Sequence, residues 1–240
     1  MKRGKRYRAV REQIDREREY PPGEAISTIK SLQSAKFNEA VEAHIRLGVN
    51  VRHADQQVRG TMVLPHGLGK DVSVVVFAQG EKAREAEAAG AEAVGAEDLA
   101  ERIQGGWTGF DVAIATPDMM QVVARLGRIL GPQGKMPNPK VGTVTEDVGK
   151  AVEQAKAGRI EYRTDRSGIV HLVIGRANFE DRRLLENYAA LIDEIVRAKP
   201  AAAKGRYIRS VTLATTMGPG IRVDPTKTRD LVEEPAAAAS

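Results

Sequence analysis

At 240 residues and 26.0 kDa the chain has room for one large domain or two modest ones, and 42% hydrophobic with 29% charged residues marks a chain that builds a core. It has no cysteine, which excludes disulfides and thiolate metal centres, and only 4% aromatics, so the core is aliphatic. The formal net charge of +5 is uneven: residues 1–66 and 159–228 hold 26 Lys and Arg against 16 Asp and Glu, while residues 67–158 hold 10 against 13. A basic excess on the two flanks alone suggests a polyanionic partner for them.

The basic start, MKRGKRYRAVRE, leads into no apolar stretch, so it reads as a helix over residues 5–18 and not as a secretory signal. No run reaches the ~18 apolar residues of a membrane span, and a cytoplasmic protein with no membrane partner is expected. EAISTIKSLQSA predicts a helix with Ile26, Ile29 and Leu32 on one side. FNEAVEAHIRLG alternates: Val41, Ala43, Ile45 and Leu47 point one way, and Ala40, Glu42, His44 and Arg46 the other, as in a half-buried strand.

DVSVVVFA (71–78) is nearly continuous in apolar residues, as a parallel strand covered on both faces should be. A charged, Ala-rich helix (EKAREAEAAG), a short strand around Ala93 and Val94, a helix in EDLAERIQ and a strand DVAIA (111–115) follow. Thr116, Pro117 and Asp118 have the chemistry of a helix start, and Met119, Val122, Val123, Leu126, Ile129 and Leu130 recur on one face until Gly131-Pro132. A further helix is expected over 146–157. RIEYRT and GIVHLVIG, joined by Asp165-Arg166-Ser167-Gly168, read as a hairpin. A helix from Asn178 carries Leu184, Tyr188, Leu191, Ile192 and Ile195 on one face. The last strand, YIRSVTLATT, sets Val211 and Leu213 opposite Ser210, Thr212, Ala214 and Thr216.

Neither flank has elements enough to close a core alone. The expected fold is therefore mixed α/β and α+β in two domains: a discontinuous α+β sheet domain from both chain ends (1–66 plus 159–228), and an inserted three-layer, Rossmann-like α/β domain (67–158). The glycine-rich crossings, near His66-Gly67-Leu68-Gly69 and at Gly158, suit a hinge. Residues 229–240 are low in complexity and expected to be a disordered tail.

The stretch RILGPQGKMPNPKVGTV (128–144) has the Gly-Lys look of a phosphate loop but not its pattern. Met136 follows Gly134-Lys135 where a Walker loop has Ser or Thr, position 129 is Ile, and Pro132, Pro137 and Pro139 each remove an amide donor. Ser167 lacks a GxSxG setting, and His44, His53, His66 and His171 form no metal-like pair. No catalytic residue, metal site or cofactor is expected, although a nucleotide-dependent enzyme on the α/β domain stays as a rival. RNA fits better. Glu42, His44 and Arg46 flank the small, hydroxylated face of the last strand, and Thr215-Thr216-Met217-Gly218-Pro219-Gly220 follows it. Phe37 and Met217 either stack on bases or close the edge of the core.

Several stretches carry a resemblance: AKFNEAVEAHIRLGV, DQQVRGTMVLPHGLGK, LGRILGPQGKMPNPKVGTV, KAGRIEYRTDRSGIVH and AKGRYIRSVTLATTMGP. Together they resemble the L-one family of large-subunit ribosomal proteins, to about residue 228. The resemblance implies a non-enzymatic, monomeric member of the ribosome whose terminal domain grips large-subunit rRNA and forms a mobile stalk. It implies a part in exit-site tRNA release and repression through the leader of its own operon mRNA. A free-standing regulator that binds only mRNA is the second rival. Carried over, the rRNA-binding residues would be Lys36, Phe37, Glu42, Asp165, Arg166, Ser167, Ser210, Thr216, Met217 and Gly218. Ala40 stands where the family commonly has Thr, which removes one hydroxyl contact.

Overall fold

Strands that alternate and strands that do not end up in different sheets. The computed structural model describes residues 4–227. In chain order these form α1 (Lys5–Glu12), α2 (Pro22–Ser31), β1 (Ala40–Leu47), β2 (Arg59–Val63), β3 (Val74–Phe77), α3 (Glu81–Ala88), β4 (Ala93–Gly95) and α4 (Glu97–Gln104). Then come β5 (Val112–Ala115), α5 (Met120–Ala124), α6 (Gly127–Leu130), α7 (Val148–Lys156), β6 (Arg159–Arg163), β7 (Ile169–Arg176), α8 (Asp181–Arg197), β8 (Ile208–Thr215) and β9 (Ile221–Val223). The two chain ends, through Gly69 and from Glu161 onward, make one compact unit, and Lys70–Ile160 makes the other. The fold is thus a mixed α/β and α+β architecture in two units. The expected tail, 229–240, lies outside the described residues.

In the unit made by the chain ends, an antiparallel sheet runs in the order β7-β1-β8-β9. Val41, Ala43, Ile45 and Leu47 of β1 and Val211 and Leu213 of β8 turn inward beneath α2 and α8. Those helices answer with Ile26, Ile29, Leu184, Tyr188, Leu191, Ile192 and Ile195, all within 1% of full burial. Each such side chain contributes about 1.5–3 kcal/mol of transfer free energy. This is why one face of the sheet is fixed and the other is left open.

Bulges interrupt β1's pairing near both of its ends, between Val41 and Glu42 toward β7 and between Arg46 and Leu47 toward β8. Gly175 occupies the first with φ 155°, where a Cβ would meet Leu184 Cδ2 at 2.7 Å.

The other unit is built on the parallel sheet β4-β3-β5. Every residue of β3 is buried, as its unbroken apolar run requires. Val75, Phe77, Ala113 and Ala115 pack beneath Leu99, Ile103, Val123, Leu126 and Leu130. Val74, Val76 and Ile114 pack on the opposite face beneath Ala86, Val148, Val152 and Ala155. Helices therefore cover both faces, giving three layers.

Several local expectations are corrected. RIEYRT and GIVHLVIG do not form one hairpin ladder: they meet only around the turn, where Thr164 bridges Val170. Beyond it β6 pairs with β2, a strand the sequence reading did not assign, while β7 joins β1. The single helix expected from Met119 to Leu130 is broken, because Arg125 N and Leu126 N bond three residues back, to Val122 O and Val123 O. The first helix ends at Glu12, and Asp15 then accepts from Glu17 N in a local turn. Asp147 starts α7 by accepting from Lys150 N.

Candidate nucleic-acid interface

The open face of the four-stranded sheet carries His171, His44, Thr212 and Arg222 in one register row across β7, β1, β8 and β9. Toward one end lie Ile169, Arg46 and Ser210, and toward the other Val173, Glu42 and Ala214. From Ala40 to Arg46 the strand rise of ~3.3 Å per residue makes this face about 20 Å long. Arg46, Arg166, Arg209 and Lys36 are exposed, and none has an acidic partner within 4 Å among the described residues.

The sequence-derived residues gather at the two ends of this face. Lys36 and Phe37 lie in the segment entering β1, and Thr216, Met217 and Gly218 in the loop leaving β8. Hydrogen bonds bring the two together: Ala40 N donates to Thr216 Oγ1 at 3.0 Å, and Thr216 N to Ala40 O at 3.1 Å. Phe37 is 52% exposed and Met217 60%, so neither closes the core. A side chain at Gly218 would place its Cβ 2.3 Å from Thr215 Oγ1, so any larger residue would force that hydroxyl to move. At the far end, Asp165 Oδ1 accepts from Ser167 N and Ile169 N, both at 2.8 Å, and these bonds hold its carboxyl below the usual range. Arg166 and Ser167 lie in that turn and are exposed. Ser210 is half-buried beside Arg46.

His44 and His171, read from the sequence as isolated, are partners. Their Nδ1 atoms stand 2.9 Å apart, so one ring donates and the other accepts. Asp165 Oδ2 is 3.5 Å from His171 Nε2, and Glu42 Oε2 is 3.8 Å from His44 Nε2. A polar chain, Asp165–His171–His44–Glu42, thus joins the turn to the middle of the face. Burial, then the neighbouring imidazole, push the His44 pKa down against the pull of Glu42.

The sequence reading missed Glu39. Alternation places it in the inward phase of β1, and it is wholly buried. Its Oε1 accepts from Ala35 N at 2.9 Å and Ser34 N at 3.3 Å, and its Oε2 from Met217 N at 3.0 Å. Burial alone would raise its pKa. The amides, with the Thr215 hydroxyl close by though short of regular hydrogen-bond geometry, outweigh burial and hold it down. The legible signal was an acidic residue on the apolar phase of an alternating strand.

The 128–144 stretch uses its own amides. Gly134, Lys135, Val141, Gly142 and Thr143 donate to carbonyls within the same stretch, and Asn138 N to Thr143 Oγ1. Lys135 Nζ donates to Thr108 O at 2.8 Å and lies 5.1 Å from the Phe110 ring centroid. Thr143 O accepts from Ala115 N, and Thr145 N donates to Ala115 O, so the segment extends the parallel sheet along β5. A phosphate cradle needs those donors free. Among the described residues no group of His, Asp and Glu is placed to hold a metal ion, and no helix is long and apolar enough to cross a membrane.

The chain matches the ribosomal protein L1p/L10e family over residues 29–219. It is 58% identical to the large ribosomal subunit protein uL1 of Rhodococcus erythropolis over 237 residues, covering 99% of each chain. It is 59% identical to the large ribosomal subunit protein uL1 of Thermobifida fusca over 230 residues, covering 96% of this chain and 98% of that one.

Proposed function

Since this chain belongs to the ribosomal protein L1p/L10e family, we propose that it is a non-enzymatic constituent of the large ribosomal subunit in the cytoplasm that binds large-subunit rRNA through the open sheet face. The observation that carries this is that two exposed, apolar side chains, Phe37 and Met217, stand on segments tied to one another through Glu39 and the Ala40–Thr216 bonds at one end of that face. Apolar surface of this kind suits unstacked bases, each worth about 1–3 kcal/mol on an aromatic ring. The hydroxyls of Thr216, Ser167 and Ser210 suit phosphates and 2′-OH groups, and Glu42 and Asp165 supply acceptors. Lys36, Arg46, Arg166 and Arg209 set a salt-dependent affinity.

In this reading the complex is the mobile stalk. The inserted unit serves as its lever or secondary contact, and the stalk assists release of exit-site tRNA. The same face represses the chain's own operon mRNA by accepting a leader of like shape. Binding of the full chain to the stalk rRNA fragment over a salt series, with a scrambled hairpin as control, tests the core of the proposal. Stalk binding that persists at salt which abolishes the scrambled complex supports shape recognition. Equal, steeply salt-sensitive binding to both refutes it. Thermal protection by ATP, GTP or NAD would favour the enzyme rival, and absence from purified large subunits the free regulator.

A further inference from the structure

We propose that Glu39 is a positioning residue for RNA recognition, one carboxylate that clamps the 34–37 segment and the 216–218 loop into a single pre-arranged edge. The inference rests on the RNA-binding reading above and adds a residue to it. Glu39 occupies a core position by alternation, where Val or Ile would be the ordinary occupant and an unpartnered carboxylate is costly. Among the described residues no Lys, Arg or His forms an ion pair with it.

Its charge is met by backbone amides from two segments far apart in sequence, neither in a helix or strand. The division is by atom: Oε1 takes Ser34 and Ala35, and Oε2 takes Met217. The residue itself is pinned as well, because its carbonyl accepts from Ala177 N at 2.9 Å and its neighbour Ala40 donates to Thr216 Oγ1 at 3.0 Å. Phe37, two residues beyond Ala35, and Met217 are carried by amides that this one side chain holds. RNA then meets an edge already ordered, and binding is spared the cost of arranging it.

Glu39→Gln tests the division directly. The remaining amide oxygen keeps the two donors Ser34 and Ala35 and the NH2 turns toward Met217 N, so the 216–218 loop is the one released. In the full-length chain this substitution is expected to weaken binding to the stalk rRNA fragment by roughly tenfold or more, leaving affinity for a scrambled hairpin at equal salt unchanged. In a Met217→Ala background the same change should cost markedly less, since the two act through one loop. Unaltered stalk binding by Glu39→Gln, or additive losses in the double variant, overturns the proposal.

A second measurement needs no variant: amide hydrogen exchange of the free wild-type chain. Ala35 and Met217 should be protected and open at a common rate, and rates differing by more than about tenfold sink the clamp. If the wild type fails to distinguish stalk from scrambled RNA, the RNA-binding reading falls and the recognition role with it. Matched exchange rates would then leave Glu39 a structural clamp only.

Discussion

Replacing Thr216 by valine separates recognition from stability. The hydroxyl accepts from Ala40 N at 3.0 Å, which commits one lone pair and leaves its hydrogen free to point outward from an exposed residue. Donation to a phosphate oxygen is a bond to a charged group, worth about 1.5–3 kcal/mol, so its loss corresponds to about ten- to a hundredfold in affinity. The folded chain loses less. Ala40 N is only part-buried and regains water, and the reciprocal bond from Thr216 N to Ala40 O at 3.1 Å survives, so the cost is about 1 kcal/mol or below. That shifts Tm by about 2–4 °C.

Anisotropy titrations with labelled stalk fragment at several salt concentrations, alongside calorimetry, measure both quantities. The slope of log K against log salt should stay unchanged, because a neutral hydroxyl neutralises no phosphate and so displaces no counterion. Thr216→Ser keeps both functions of the hydroxyl and should bind like wild type. Valine binding within about twofold of wild type, or serine binding as weakly as valine, refutes the reasoning.

Tyr188→Phe removes a fully buried hydroxyl with no hydrogen-bond partner among the described residues, so urea unfolding should show it neutral or stabilising by up to about 1 kcal/mol; a larger loss would reveal a partner. Asn138→Ala deletes the side chain that accepts from Lys140 N at 2.8 Å, and should cost about 1 kcal/mol in thermal stability while rRNA affinity stays the same. His44 has a folded pKa below 6.5, so the unfolded chain takes up the proton first. Its contribution to stability is complete above pH 6.5 and declines as pH falls through 6.5 toward the folded value. Denaturant unfolding across that window should show the decline, and His44→Gln should flatten it. Glu39 acts lower. Its depressed pKa gives stability that is present above pH 4.5 and lost as pH falls further, so Glu39→Gln should lessen the acid-induced loss of stability in that range.

The sequence by itself determined the periods. Alternation in β1 and β8 settled which side chains turn inward, and the unbroken apolar run of β3 settled a parallel strand covered on both faces. The basic flanks and the small hydroxylated face of β8 were legible as well. All of these are properties of neighbours along the chain, where side-chain periodicity and composition carry the information. The exposure of Phe37 and Met217, by contrast, was left open by the sequence and decided by the fold. Tertiary structure alone decided the partners. It sent β6 to β2 and β7 to β1 where local turn chemistry suggested one hairpin, because strand pairing depends on which distant edges are free. It brought His44 onto His171 and Met217 N onto Glu39, contacts between residues more than a hundred positions apart, and so set Glu39 between the local amide of Ala35 and a distant one. A carboxylate on the inward phase reads from the sequence as a misplaced charge. Only the fold shows the donors that make its burial favourable.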